Sequence, residues 1–310
     1  MTKPGIIHLP DEVRELPLVV SISGGKDSSA VALALQELEL SFRMVFADTG
    51  WEAKETYAHL DYLRKKLGPI DVVEAPGGMK QKIEERAGFP ARLQRWCTEE
   101  LKLRPLRAYH DRLEIELKEE TCSVVGVRAE ESEARMKMPI LEDEPRTKGH
   151  WGGWIWRPIL DWTVEQVIDI HNRHGLAMNP LYHRGHDRVG CYPCIFSRKE
   201  EVRLIAEHAP ERIAEIRELE ALVIRERAER NAKTPGRYSY AEGTFFQGRG
   251  EADGLGLMRI DNVVEWSKTS RGGRQMPLFA PVPSGGCMRW GMCESPPTQN
   301  QEREGTEKSP

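Results

Sequence analysis

Short apolar runs alternate with longer stretches of helical period over the first half of the chain. Leu18–Ile22 has the length and composition of a buried parallel strand. Glycines follow, and Ala30, Val31, Leu33, Ala34, Leu35 and Leu38 then recur at helical spacing, which predicts strand, tight loop and helix in succession. Phe42–Ala47 predicts a second strand ending at Asp48. Ala53–Leu67 predicts a helix with Tyr57, Leu60 and Leu63 on one face and Gly68 as its stop. Ile70–Ala75 and Cys122–Val127 predict two more strands, with helical patterns over Met79–Arg86 and Glu99–Lys118 between them. Leu141–Gly153 is polar and turn-rich and reads as a mobile loop. Val164–His174 predicts a helix between Thr163 as cap and Gly175 as stop, and Glu200–Arg230 predicts one or two helices broken near Pro210. Such alternation implies right-handed crossovers and an α/β fold: a mostly parallel sheet with helices on both faces, followed by a helical C-terminal region.

The first strand–loop–helix passage carries the clearest chemistry. A loop between a buried strand and a helix N-terminus turns backbone N–H groups outward, and the helix dipole adds partial positive charge there. In Ser23-Gly24-Gly25-Lys26-Asp27-Ser28, two residues without Cβ let an anion approach the backbone, two hydroxyls offer donors and Lys26 offers a cation. A phosphate chain is the natural ligand; the plainer reading is a glycine-rich turn ending in a helix cap. The string is not the longer P-loop with its terminal Gly-Lys-Ser/Thr. Asp48, Thr49 and Glu52 follow the second strand, where open parallel sheets bind ligands. An acid there suits a ribose or amine, or joins Asp27 in holding Mg²⁺, and Asp48 or Thr49 serves equally as a helix cap.

Composition narrows the class. With 310 residues, 39% hydrophobic and 30% charged, the chain reads as globular. A formal net charge of -4 and a pI near 6.2 argue against a non-specific basic coat for nucleic acid. No apolar stretch reaches the roughly 20 residues of a membrane helix. Met1–Pro10 lacks the basic-then-apolar layout of a signal peptide, so a cytoplasmic location without a membrane partner is expected. In that compartment the six cysteines read as thiols or metal ligands. Cys191-Tyr-Pro-Cys194 places two sulfurs within reach of one metal centre, or makes a redox pair. Cys122, inside an apolar strand, reads as a small core residue.

Taken in order, the motifs resemble a known family. Ser23–Ser28 is similar to the pyrophosphate loop of the N-type ATP pyrophosphatases. Phe46–Gly50, Cys97-Thr98 with Leu101-Lys102, Gly126–Ser132 with Arg135, Trp156–Ile159 with Asp161-Trp162, Asn179–Tyr182 and Arg188–Cys191 resemble the phosphoadenosine-phosphosulfate (PAPS) reductase-like branch. The resemblance runs from about Leu18 to about Arg203. It implies an adenine-nucleotide alpha-hydrolase-like fold, with residues 1–195 as the nucleotide-binding domain. Residues 196–294 then form a helical and Gly/Arg/aromatic-rich region, and 295–310 a disordered tail. Carried over by position, Ser23, Gly24, Gly25, Lys26, Asp27 and Ser28 bind the phosphates, Asp48 lies near the adenosine, and Arg128 and Arg135 lie near the anionic end. Lys26, Asp27 and Arg128 are the implied catalytic residues; for both arginines, ion pairs with Glu130, Glu131 and Glu133 are the plainer reading.

The resemblance also implies a cofactor. Cys97, Cys191 and Cys194, with Cys287 or Cys293 as a fourth ligand, suggest a 4Fe–4S cluster, with Zn²⁺ as the alternative. Two departures matter. Cys97 is followed by Thr98 where iron–sulfur reductases carry tandem cysteines, and the C-terminal Glu-Cys-Gly-x-His of the reductases is absent. The first removes one cluster ligand; the second, together with Lys26, favours ATP and Mg²⁺ over a sulfonucleotide. The expected activity is an ATP pyrophosphatase that adenylates an acceptor for sulfur transfer, like the DNA phosphorothioation and RNA thiolation enzymes. A sulfur donor such as a cysteine desulfurase and a DNA or RNA acceptor are the implied partners. Arg237–Arg249 and Arg271–Arg274 then read either as nucleic-acid contacts or as solvated loops. A PAPS or adenylyl-sulfate reductase is the alternative, and a non-catalytic nucleotide or iron–sulfur sensor is the third reading.

Overall fold

The computed structural model describes residues 5–147, 151–238, 243–246 and 258–269. Its centre is a six-stranded sheet in the order β3-β2-β1-β4-β6-β5. The strands are β1 (Leu18–Ser21), β2 (Phe42–Asp48), β3 (Asp71–Glu74), β4 (Cys122–Val125), β5 (Leu141–Glu144) and β6 (Gly153–Trp156). All neighbours pair in parallel except β5, which runs antiparallel to β6. The first half of the helices comprises α1 (Lys26–Glu37), α2 (Lys54–Leu67), α3 (Gly78–Arg86), the short α4 (Trp96–Thr98) and α5 (Arg104–Leu117). A π-helical turn, Glu99–Leu103, joins α4 to α5. After β4 come α6 (Glu133–Met136), α7 (Val164–Arg173), α8 (Pro180–His183), α9 (Lys199–His208), α10 (Pro210–Lys233) and α11 (Ile260–Lys268).

The two faces of β1 show why the sheet is buried on both sides. Leu18 and Val20 point into a core shared with α1, α2 and α7, while Val19 packs with Val45, Tyr109 and Leu113 under α5. Alternation along a strand, covered on both faces, produces the continuous apolar run seen in the sequence. The Thr163 hydroxyl accepts from Gln166 N at 3.3 Å and the Gln166 side chain accepts from Thr163 N at 2.9 Å, a reciprocal cap that starts α7 where the sequence predicts it. The predicted break at Pro210 separates α9 from α10.

The expected mobile loop Leu141–Gly153 is corrected by the structure: its first residues form β5 and its last begins β6. β5 reads Leu-Glu-Asp-Glu because it is an edge strand, half exposed, where acidic side chains face water and discourage further pairing. No helix among the described residues is long and apolar enough to cross a membrane.

The C-terminal helices do not stand apart. Ile205, Ile213, Ile216, Leu219 and Val223 of α9 and α10 share one core with Trp51, Met79 and Ile83. Glu220 is buried in this region and accepts hydrogen bonds from Phe245 N and Ile260 N, both at 3.0 Å. Phe245 stacks on Trp51 at 5.8 Å, so this aromatic residue of the Gly/Arg/aromatic stretch is core. Arg271–Arg274, Cys287, Cys293 and residues 295–310 lie outside the described residues.

Candidate functional site

The loop after β1 sits at the centre of the sheet, beside the end of β4, where the strand order reverses direction. Gly24 holds φ +72°, and a Cβ there meets Thr56 Cγ2 at 2.8 Å. Ser28 Oγ accepts from Ser23 N at 3.1 Å and donates to Gly25 O at 3.0 Å, while Ser23 Oγ accepts from Gly25 N at 3.3 Å. The loop hydroxyls therefore brace the loop's own backbone. Residues from far along the chain lie across it. Asn179 Nδ2 donates to Gly24 O at 3.1 Å, and Lys26 N donates to the Tyr182 hydroxyl at 3.1 Å. Gly126, just past β4, backs the first turn of α1: a Cβ there lies 2.8 Å from Asp27 C and O and from Ser28 Cα. Those are backbone atoms with no rotamer to yield. Gly126→Ala is expected to cost about 2 kcal/mol by overpacking, read as a lower urea midpoint with unchanged slope. An unchanged midpoint removes the close approach from the account.

Asp27 is the hub of a buried charge group. Its Oδ2 accepts from Lys26 Nζ at 2.8 Å and its Oδ1 from Arg128 Nε at 2.6 Å, and Arg128 Nη1 reaches Glu130 Oε2 at 2.5 Å. Lys26 and Arg128 are 4% and 5% exposed. Burial pushes the Asp27 carboxyl up, but the Lys26 and Arg128 charges outweigh it and hold the group below its ordinary range. Asp48 stands elsewhere, accepting from Gly50 N at 2.8 Å and from the Tyr57 hydroxyl at 2.7 Å. Nearby, buried Glu52 accepts from Thr49 Oγ1 at 2.8 Å and Trp51 N at 3.1 Å.

A cavity of about 310 Å³ opens beside the loop. Ser23, Gly25 and Asp27 form one wall. Arg95, Lys102, Arg135 and Arg188 bring four cationic side chains to it, with Arg135 paired to Glu131. Cys191 and Cys194 line the same space. Their turn is tied to the end of β2: Tyr192 N donates to Trp51 O at 2.8 Å, and Trp51 Nε1 donates to Pro193 O at 3.0 Å. Lys102 lies beside Cys191, and the thiolate form of that cysteine raises the lysine's pKa against the effect of burial. Burial pushes the Cys191 thiol up and Lys102 pulls it back; burial also raises Cys97. Cys122 is fully buried in β4 and pushed up to about 12, a core thiol as expected.

Of the residues expected at the site, Ser23, Gly25, Asp27, Arg135, Cys191 and Cys194 line the cavity. Gly24, Lys26, Ser28, Asp48, Arg128 and Cys97 are not on its wall, and Lys26, Ser28 and Arg128 act on it through Asp27 or the loop backbone. Arg95, Tyr182, His186 and Arg188 were not expected as site residues. Lys102, Tyr182 and Arg188 belong to motifs of the family resemblance without a site role of their own, whereas Arg95 and His186 belong to none. The π-helical turn that carries Lys102 is a frequent mark of functional positions and has no simple sequence period.

The expected 4Fe–4S cluster, and the Zn²⁺ alternative, are corrected. Among the described residues no group of three or more His, Cys, Asp or Glu side chains is placed to hold a metal ion, so Cys97, Cys191 and Cys194 do not form a ligand set. The positive charge beside Cys191 is the ammonium of Lys102. The two carboxylates expected to share Mg²⁺ have protein partners: Asp27 is held by Lys26 and Arg128, and Asp48 accepts from Gly50 N and the Tyr57 hydroxyl.

Residues 17–197 match a family model described as the phosphoadenosine phosphosulfate reductase domain. The chain is 32% identical to an uncharacterized 37.8 kDa protein of Escherichia phage 186, over 84% of this chain and 91% of that protein. It is 31% identical to an uncharacterized protein of Methanocaldococcus jannaschii, over 66% of this chain and 42% of that one. An adenosine 5′-phosphosulfate reductase of Salinibacter ruber is 28% identical over 55% of this chain and 64% of its own length. The chain thus spans less than two thirds of the last two relatives.

Proposed function

Because this chain belongs to the phosphoadenosine phosphosulfate reductase domain family, and is by that membership an enzyme, we propose that it reduces a sulfonucleotide, adenylyl sulfate or its 3′-phosphorylated form, to sulfite. One observation carries the reading: two thiols, Cys191 and Cys194, share a cavity with the glycine loop and four cationic side chains. An anion cradle next to sulfur nucleophiles suits attack on a sulfonate held by its nucleotide.

In this reading the nucleotide phosphate lies against Ser23, Gly25 and Arg135, and the sulfonate faces the thiols. A thiolate attacks the sulfonate sulfur. An S–S bond forms, the S–O bond to the nucleotide phosphate breaks, and the nucleotide leaves with the electron pair. The second thiol, at Cys-x-x-Cys spacing, then attacks the cysteine sulfur of the thiosulfonate. Sulfite departs and a disulfide forms, so two electrons have passed from the thiols to sulfur. An external dithiol returns the disulfide to thiols. Lys102 stabilises the Cys191 thiolate once its proton is lost, and Arg95 and Arg188 balance the charge of the leaving anion.

The expectation of ATP cleavage, with a cysteine desulfurase as donor and DNA or RNA as acceptor, ranks behind this reading, because relatives from Salinibacter and Bacillus are named adenosine 5′-phosphosulfate reductases. The test is sulfite release from adenylyl sulfate and from its 3′-phosphorylated form, with a dithiol reductant. Cys191→Ser and Cys194→Ser are each expected to lower release at least a hundredfold. Undiminished release in both variants removes this thiol pair from the chemistry. Pyrophosphate from ATP with no sulfite from either sulfonucleotide overturns the reading.

A further inference from the structure

The two thiols of the cavity stand in different surroundings, and Phe196 makes much of the difference. Phe196 follows Cys194 by two residues, is half-buried and lines the cavity with it. Its backbone N donates to Cys194 Sγ at 3.5 Å. Ser197 closes the turn: its N donates to Cys194 O at 2.8 Å and its Oγ accepts from Cys194 N at 3.1 Å. The ring of Phe196 carries two guanidinium groups, Arg95 at 5.1 Å and Arg92 at 5.7 Å from its centroid. Reciprocal backbone bonds between Ala91 and Gln94, both 3.1 Å, close the loop that presents these arginines. Both are exposed, and neither pairs with a carboxylate among the described residues. Two like charges on one ring repel, and an anion beside them relieves the repulsion.

Cys191 has the opposite balance. Its backbone bridges to Glu52, whose carboxylate is buried. That carboxylate acts on both Lys102 and Cys191, so the lysine's charge is already offset there. Burial raises the Cys191 thiol; Lys102 opposes the rise and Glu52 adds to it. An incoming anion therefore meets a compensated lysine at Cys191 and two uncompensated arginines at Cys194.

We infer that Cys194 is the nucleophile that takes the sulfonate, that Cys191 is the resolving thiol, and that Phe196 is a positioning residue that sets Cys194 through its amide and Arg95 through its ring. The inference rests on the sulfonucleotide reading. Each thiol gives its proton to solvent before it attacks. Arg95 binds the sulfonate oxygens while Cys194 Sγ attacks the sulfonate sulfur. An S–S bond forms, giving a Cys194 S-sulfonate, and the S–O bond breaks with its electron pair going to the nucleotide. The Cys191 thiolate, beside Lys102, then attacks Cys194 Sγ. Sulfite leaves with the electron pair of the broken S–S bond, and a disulfide between the two cysteines remains.

The test is a single turnover without reductant, on whichever sulfonucleotide the wild type reduces, followed by peptide mass mapping. Every variant also carries Cys97→Ser, which removes the third thiol near Cys194. Cys191→Ser is expected to retain one SO₃ group on Cys194, and Cys194→Ser to acquire none on Cys191. Added to Cys191→Ser, Phe196→Leu keeps the backbone N–H and loses the ring. It is expected to slow formation of the S-sulfonate about fivefold, and Phe196→Tyr to restore the rate to within about twofold. Arg95→Gln is expected to slow it at least as much, with little further loss when Phe196→Leu is added. The group found on Cys191 in Cys194→Ser overturns the order of the thiols. No group on Cys194 in Cys191→Ser, while the wild type releases sulfite, overturns the nucleophile and leaves the reduction standing. Equal rates with Leu and Phe at position 196, or a full fivefold loss from Leu on top of Arg95→Gln, overturn the positioning role. A wild type that releases sulfite from neither sulfonucleotide overturns the sulfonucleotide reading and this assignment with it.

Discussion

Lowering the pH from 7.5 to about 5 is expected to unfold this protein or bring it to the edge of unfolding. Three buried histidines drive the change. His59, His110 and His186 are each no more than 6% exposed, and burial lowers each pKa to about 4. His171 is shifted in the same direction, chiefly by burial. A histidine whose folded pKa lies below its unfolded value of about 6.5 contributes stability above that value and loses it as the pH falls towards 4. At pH 5 each of the three withholds nearly a full proton in the folded state that the unfolded chain binds. The loss is ~2 kcal/mol per histidine at that pH, against a total stability of ~5–15 kcal/mol for an ordinary domain. Asp27, with its lowered pKa, adds to the loss at still lower pH. The check is urea unfolding at half-unit steps of pH. His59→Phe, which keeps a ring against Tyr62, is expected to flatten the dependence between pH 6.5 and 5. A stability that stays level from pH 7.5 to 5 removes this account.

The same burial explains which parts of the molecule were legible in the sequence. β1, the glycine loop and α1 are contiguous, and their apolar pattern is local, so strand, loop and helix could be read with their order. The family motifs marked Arg135 and Cys191 as site residues, and both line the cavity. What could not be read depends on contacts across long separations. The Tyr182 hydroxyl meets Lys26 N across 156 residues, and Trp51 holds the turn at Pro193 across 142. β5 and β6 are four residues each, and the acidic composition of β5 belongs to an exposed edge, which looks like a loop when the neighbouring strand is unknown. The cluster was expected from cysteine spacing and resemblance, but spacing alone could not reveal the lysine beside Cys191. His186 had no local signal: a histidine after glycine in a polar turn becomes notable only when the fold buries it on a cavity wall.

Removing the Asp27 carboxylate is expected to be the most damaging single substitution at the loop. Asp27→Ala leaves Lys26 and Arg128, both almost fully buried, facing each other without the acid that separates them. Breaking a buried pair by deleting one partner costs about 3–5 kcal/mol, because the remaining charge is left dry and uncompensated. Here two buried cations lose the carboxylate they share, with Glu130, half exposed, and Glu131 still acting on Arg128, so the upper part of that range is expected. The double variant Asp27→Ala/Arg128→Met tests the cause. Removing the second charge along with the first is expected to restore part of the lost stability, giving a coupling of about 2 kcal/mol or more between the positions. Purely additive losses rule out the charge trio as the source. Function is expected to part from stability in the double variant. Asp27 lines the cavity and Arg128 holds it in place from behind, so the refolded double variant is expected to release sulfite at background rates. A double variant that is stable and active at the wild-type rate assigns the trio to folding alone and moves the anion site to Arg135, Arg188 and the loop backbone.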